Sequence, residues 1–160
     1  MKKIITLLFI LLFTFALNGF AQDTSPKMEY GKPSELKGLK KIFVDTNGDT
    51  EERERILKEF EKANLKDVIL LDNEVGAEVI LLFAGGKERR TVGRISNGTG
   101  GLGSYGLSTG KGIAFIPKEP RTMRVLLSID DSKETWFDKK PALKFAREFI
   151  KLYKAANEIR

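Results

Sequence analysis

The residue types best suited to bind a ligand lie in a glycine-rich, basic segment, residues 85–112. This segment holds ten of the chain's fifteen glycines, together with five basic residues and one acidic residue. Consecutive glycine N–H groups can form a concave nest that binds an anion, and neighbouring basic side chains add positive charge. The candidate residues for binding an anion or a partner are Arg89, Arg90, Arg94, Gly100, Gly101, Tyr105 and Lys111. A hairpin connection without a ligand is the alternative interpretation.

The same glycines match two nucleotide-binding patterns, but neither pattern has its required context. Gly98, Gly100 and Gly103 fit G-x-G-x-x-G, which needs a strand before it and a helix after it, whereas an apolar strand follows here. Residues 106–112 resemble a P-loop that is one residue short, and Gly112 stands where a Mg²⁺-binding Ser or Thr is required. The sequence therefore predicts no nucleotide cofactor.

A second kind of chemistry would use paired carboxylates as general acid and general base. Asp130, Asp131 and Glu134 follow the last predicted strand, and Asp45 ends the first. A cleft that joined Asp45, Asp130 and Asp131 would indicate a metal-independent hydrolase. The alternative interpretation is a solvated strand end, because no motif around these residues predicts a pocket.

The composition excludes several classes of site. The chain has no cysteine and no histidine, so it lacks disulfides, the usual zinc, copper and haem ligands, and Ser-His or Cys-His catalysis. The net charge is +6, and its basic excess lies in the second half; this asymmetry can guide an anionic partner, and ordinary solubilising surface charge is the alternative interpretation. Nucleic acid is disfavoured because the basic segment holds a single aromatic residue, Tyr105. We expect no cofactor, no metal, and binding rather than catalysis.

Residues 1–21 have the layout of a secretory signal peptide. Lys2 and Lys3 precede an apolar run that ends at Phe20, and Gly19 and Ala21 are small enough for cleavage after Ala21. The run of 17 residues is short of the roughly 20 needed to span a bilayer. No cysteine follows it, so lipid attachment is excluded. We expect a periplasmic or secreted protein with no transmembrane span after cleavage; an uncleaved anchor is the alternative.

After the leader, the sequence predicts a flexible lead, residues 22–38, and one α/β domain, residues 39–160. Asp49 is a helix N-cap with Glu52 as its capping partner, and an apolar stripe predicts a second helix after Pro141. The predicted helices are 50–63 and 141–156, the predicted strands are 41–45, 67–71, 78–84, 113–116 and 123–129, and the predicted glycine-rich loop is 96–112.

These elements predict a two-layer α/β (α+β) sandwich, with a mixed β-sheet of about five strands and two helices packed on one face. The strands 67–71 and 78–84 are continuously apolar, which is typical of strands that are covered on both faces.

With these elements placed, residues 39–82 resemble the first half of bacterial periplasmic domains of the TolB amino-terminal and curli-secretion type. The likeness lies in the strand that ends at Asp45, the helix, and the stretch Ala77-Glu78-Val-Ile-Leu81. The resemblance implies a non-enzymatic domain that mediates contacts in the envelope, although the glycine-rich segment departs from it. Residues 140–149 also resemble the tail of exported bacterial proteins without an assigned role, which implies no function.

The sequence therefore favours an exported, non-enzymatic binding or interaction module of the cell envelope. Its partner would be an envelope protein or an anionic envelope component. A carboxylate hydrolase and an anion-binding domain that uses the glycine-rich basic segment remain the alternatives, and the oligomeric state is open.

Overall fold

The computed structural model describes residues 27–84, 110–118, 122–130 and 141–159, with backbone strand pairs at 90–92, 95–97, 100–102 and 105–107. The elements in chain order are β1 Lys27–Tyr30, a 3₁₀ turn Pro33–Leu36, β2 Lys41–Asp45, α1 Thr50–Ala63, β3 Ile69–Leu71, β4 Val79–Ala84, β5 Arg90–Val92, β6 Ile95–Asn97, β7 Gly100–Leu102, β8 Tyr105–Leu107, β9 Lys111–Lys118, β10 Thr122–Asp130 and α2 Pro141–Ala156.

The main sheet is mixed and has six strands, in the order β1-β10-β9-β4-β2-β3. β9 is antiparallel to both of its neighbours, while β1 pairs in parallel with β10, and β2 pairs in parallel with β3 and β4. Both helices contribute to the apolar cluster on one face of this sheet. The predicted α/β class is confirmed, with six strands instead of about five.

Helix α1 has the bounds predicted from its N-cap and its apolar spacing, residues 50–63. The Asp49 carboxylate accepts the Glu52 N–H at 3.0 Å, which satisfies one of the free donors of the first turn. The helix ends at Asn64, which adopts the left-handed conformation with φ 48°. Asparagine tolerates that conformation better than most residues, so it terminates the helix at little cost.

The core on the helix-bearing face is built largely from aromatic rings. Phe149 of α2 lies 5.9 Å from Phe60 of α1 and 6.2 Å from Tyr153, measured between ring centroids. Phe145, one turn earlier, stacks on Phe83 of β4 at 6.0 Å. Ring pairs at this separation stabilise beyond the burial of their area. These contacts fix α2 to both α1 and the sheet.

The opposite face of the sheet also carries buried apolar side chains, contributed by β4, β9 and β10, including Ile80, Leu82, Phe115 and Met123. β4 is therefore buried on both faces, as its continuous apolar run predicts. β3 is not, because it is the last strand of the sheet. Its Ile69 is 51% exposed and its Leu70 37% exposed, so the prediction of two-sided burial is wrong for this strand.

The flexible lead predicted for residues 22–38 is ordered from Lys27 onwards. Gly31 donates its N–H to the Val125 carbonyl at 2.8 Å, and Leu36 is fully buried. The Arg124 guanidinium donates to both Glu35 carboxylate oxygens at 3.0–3.3 Å. These contacts involve residues far along the chain, so no local pattern reveals them. The leader and residues 22–26 lie outside the described residues.

A buried carboxylate links the two helices. Glu59 of α1 is only 7% exposed, and its oxygens accept Arg147 Nε of α2 at 2.9 Å and Lys62 Nζ at 2.7 Å. Hydrogen bonds from these two cations lower the pKa of Glu59 from its ordinary value of 4.5 to about 2. The bond to Arg124 likewise lowers the pKa of Glu35 to about 2.

We expect these two carboxylates to make the fold acid-sensitive. Since their folded pKa lies below the unfolded value, their stabilisation is complete above about pH 4.5 and is lost as the pH falls towards 2. Urea unfolding of Glu59→Gln between pH 7 and pH 2.5 should show a shallower loss of stability than the parent. Glu54→Gln, on the exposed side of α1, is the control and should follow the parent curve. Parallel curves for Glu59→Gln and the parent would contradict the assignment.

Candidate functional site

The glycine-rich segment contains paired strands where the sequence predicts a loop over 96–112. β5 pairs with β8 and β6 with β7, both antiparallel. The two pairs form two separate two-stranded ladders. Where the described main sheet leaves off, Gly110 donates its N–H to the Ala84 carbonyl at 2.8 Å. Glycine has a low strand propensity, which is why the sequence favours a loop.

The strand pairing changes the expected geometry of the anion site. Gly100 and Gly101 lie in β7, opposite Asn97 and Ser96. Successive N–H groups of an extended strand point to opposite edges, so these two do not converge as the predicted nest requires. The binding role of this segment stays a prediction that rests on its basic side chains.

The other candidate residues of this segment do not share one strand. Arg90 lies in β5 opposite Leu107, and Tyr105 lies in β8, while Arg89 and Arg94 lie outside the described residues. Lys111 begins β9, and its Nζ forms an ion pair with Asp130 Oδ2 at 2.9 Å. This neighbouring carboxylate offsets the positive charge that Lys111 would offer to an anion.

The carboxylates proposed for a hydrolase are not brought together by the described strands. Asp45 ends β2 and Asp130 ends β10, with β4 and β9 between them. Three strand spacings separate the two backbones by roughly 14 Å, whereas carboxylates that cooperate across a scissile bond stand about 5–9.5 Å apart. Asp131 and Glu134 lie outside the described residues.

Glu52 is a partly buried carboxylate whose pKa is raised rather than lowered, and the sequence predicts only helix capping for it. Burial raises its pKa above the ordinary value, against the opposing effect of Arg55, which donates to Glu52 Oε1 at 2.6 Å. Its Oε2 has no hydrogen-bond partner within the part of the chain that the structure describes. In that same part, no group of three or more acidic side chains is arranged to hold a metal ion. A hydrolase hypothesis would have to begin from Glu52.

The sequence also did not predict a sheet edge, that of β3, which no other described strand covers. In β3, Ile69 donates its N–H to the Lys40 carbonyl at 2.9 Å, so the N–H and C=O of the next residue, Leu70, point away from β2. Ile69 and Leu70 expose apolar side chains there, and Val75, four residues after β3, is 64% exposed. Open, apolar edges of this kind are templates for pairing with another chain.

A cavity of about 480 Å³ lies where the two helices end. It is lined by residues 63–68, by Gly38 and Lys40, and by Tyr153, Lys154, Asn157 and Ile159. The Tyr153 hydroxyl donates to the Leu39 carbonyl at 2.7 Å, and burial raises the pKa of this phenol. Asn157 bridges two segments, since its Oδ1 accepts the Gly38 N–H at 2.8 Å and its Nδ2 donates to the Leu36 carbonyl at 3.2 Å. These bonds hold the cavity wall in place.

Two further findings bear on the site. No helix within the described residues is long and apolar enough to cross a membrane. Comparison of the chain with protein-family models, with curated proteins and with solved structures gave no match. The functional argument therefore rests on the chain's own residues.

Proposed function

We propose that the chain is exported by its leader, residues 1–21, and acts as a non-enzymatic binding module of the cell envelope, in the periplasm or secreted. The observation that carries the binding role is the open apolar edge at β3. The signal-peptide layout supports export, and the likeness of residues 39–82 to periplasmic contact domains supports the same role. The partner is an envelope protein that offers an extended segment.

The proposed mode of binding is strand addition. A partner segment laid along β3 would receive the N–H of Leu70 and donate to its carbonyl, because both groups face the open side. Main-chain bonds supply affinity in this mode, and side chains at alternate positions supply specificity. The exposed Ile69 and Leu70 provide apolar area at the same place. A strand of three residues makes this a small interface, suited to a transient contact.

Photo-crosslinking in living cells tests the edge. A photo-reactive residue at position 72, directly after β3, is expected to capture one envelope protein, whereas the same residue at position 58, on the exposed side of α1, captures none. Adding Leu70→Pro should weaken the position-72 adduct about tenfold, because proline removes the outward donor while leaving the β2 pairing intact. Leu70→Ala is the matched control, since it keeps the donor and removes only the side chain.

Two results would contradict the proposal. An adduct that survives Leu70→Pro unchanged would show that β3 does not pair with the partner. A full-length protein that still carries residues 1–21, recovered from the cytoplasm and identified by intact mass, would contradict export. Thermal unfolding of Leu70→Pro distinguishes lost pairing from lost folding, because the variant should melt within a few degrees of the parent.

A further inference from the structure

The cavity at the helix ends indicates a second function, for reasons that do not depend on the β3 edge. We propose that it binds a small anionic amphiphile: a carboxylate or phosphate head on a short apolar body. Ligand cavities in proteins commonly measure about 300–1,000 Å³, and the 480 Å³ found here lies in that range.

The positive charge of the cavity is available to a ligand. Lys40, Lys66 and Lys154 line it, and none of the three forms an ion pair with another described residue. Asp67 is the one acidic side chain among the described lining residues, and the Glu78 carboxylate is near enough to act on the Tyr153 phenol as Asp67 does. The adjacent lysines of the helix layer are engaged instead: Lys62 binds Glu59 at 2.7 Å, and Lys151 lies 3.9 Å from Glu148. Lys40 also lies close enough to the Glu78 carboxylate for its charge to help lower the pKa of Glu78, so Lys66 and Lys154 are the more available cations among the described lining residues.

A structural role accounts for only one of these three lysines. Lys154 lies in the last turn of α2, where a cation stabilises the helix by opposing its dipole. Lys40 directly precedes β2, and Lys66 lies between α1 and β3, so neither serves a helix end in this way. Like charges placed around one cavity repel each other, and an anion between them removes that repulsion.

The apolar residues of the lining favour an apolar portion in the ligand. Ala63, Leu65, Val68 and Ile159 contribute carbon atoms to its lining, and the polar groups of Tyr153 and Asn157 are already bonded to backbone. A simple ion would leave this apolar surface in contact with water. An amphiphile covers it and brings its charged head to the lysines of the lining.

Calorimetric titration with decanoate, below its micelle concentration, tests the proposal. The purified protein is expected to bind decanoate with a 1:1 stoichiometry, and octyl phosphate comparably. Decanol, which lacks the charge, and inorganic phosphate, which lacks the apolar body, should each bind at least about tenfold more weakly. The ratio between decanoate and octyl phosphate identifies the preferred head group.

The charge requirement has a matched control. Replacing Lys40, Lys66 and Lys154 with glutamine should weaken decanoate binding by about tenfold or more. Replacing Lys27, Lys32 and Lys58, which lie away from the cavity, removes the same net charge and should change the affinity less than twofold. Equal affinities of the two triple variants, or equal binding of decanol and decanoate, would overturn the proposal. All six positions carry solvent-accessible side chains, so both variants should remain folded. Circular dichroism checks that they do.

Discussion

Replacing Phe149 with aspartate is expected to unfold the protein. Phe149 is fully buried, and its ring contacts Phe60 of α1 and Tyr153. Removing a buried phenylalanine costs about 3–5 kcal/mol, and an unpaired buried carboxylate adds several more. The sum reaches the total stability of about 5–15 kcal/mol that is typical of a domain.

The measurement is thermal unfolding followed by far-UV circular dichroism, with the dispersion of the proton NMR spectrum as a second probe. Phe149→Asp should show no cooperative transition. Phe149→Leu, which keeps an apolar side chain, should still fold and lose only about 1–3 kcal/mol. A soluble Phe149→Asp protein that melts cooperatively near the parent temperature would contradict the central position assigned to this ring.

The second large effect is expected at Gly112, where even a methyl group has no room. A Cβ built on Gly112 would lie 2.6 Å from Phe145 Cδ2 and 2.7 Å from its Cγ. The Phe145 ring is fully buried and stacked on Phe83, so it has little freedom to move aside. Gly112→Ala should therefore lower the free energy of unfolding by about 1–3 kcal/mol.

A double-mutant cycle separates this clash from a general effect of alanine in β9. In a Phe145→Leu background, whose smaller side chain relieves the contact, Gly112→Ala should cost less than about 1 kcal/mol. The resulting coupling between the two positions should fall in the range of about 0.5–3 kcal/mol found for residues in contact. Additive effects of the two substitutions, measured by urea unfolding, would contradict the packing role of Gly112.

Gly112 also shows why a residue type can mislead. In the sequence it counts as one more glycine of a flexible, ligand-binding segment. In the structure it is a strand residue of β9 whose missing side chain admits the Phe145 ring. Close approach of another group is a recognised reason for glycine within a strand, but only the packed fold identifies which group approaches.

The sequence predicts best where the signals are local. The bounds of α1 follow from the Asp49 cap and from the helical spacing of Ile56 and Phe60, which lie within a few residues of each other. The apolar stripe of α2 and the α/β class follow in the same way. In contrast, β1 owes its order to Val125 and Arg124, and nothing near β1 in the sequence signals that pairing.

The candidate sites were harder to predict than the fold because their residues come from separate segments. The cavity combines residues around 38–40, 63–68 and 153–159. Its hydrogen bonds, such as that from Tyr153 to Leu39, join segments from the two ends of the domain. The open edge at β3 looks like a buried strand in the sequence, because Ile69 and Leu70 are as apolar as the residues of β4. Only the order of the strands shows that β4 lies inside the sheet and β3 at its edge.

The parallel pairing of β1 with β10 has a consequence for biogenesis. Lys27 pairs with Thr122 and Tyr30 with Val125, so the first strand cannot find its partner until most of the chain has been synthesised. Contacts this distant raise the contact order, and a high contact order slows folding. The export proposed above would be compatible with this delay, since a channel that requires an unfolded substrate could thread the amino-terminal residues before β10 was available to pair with them.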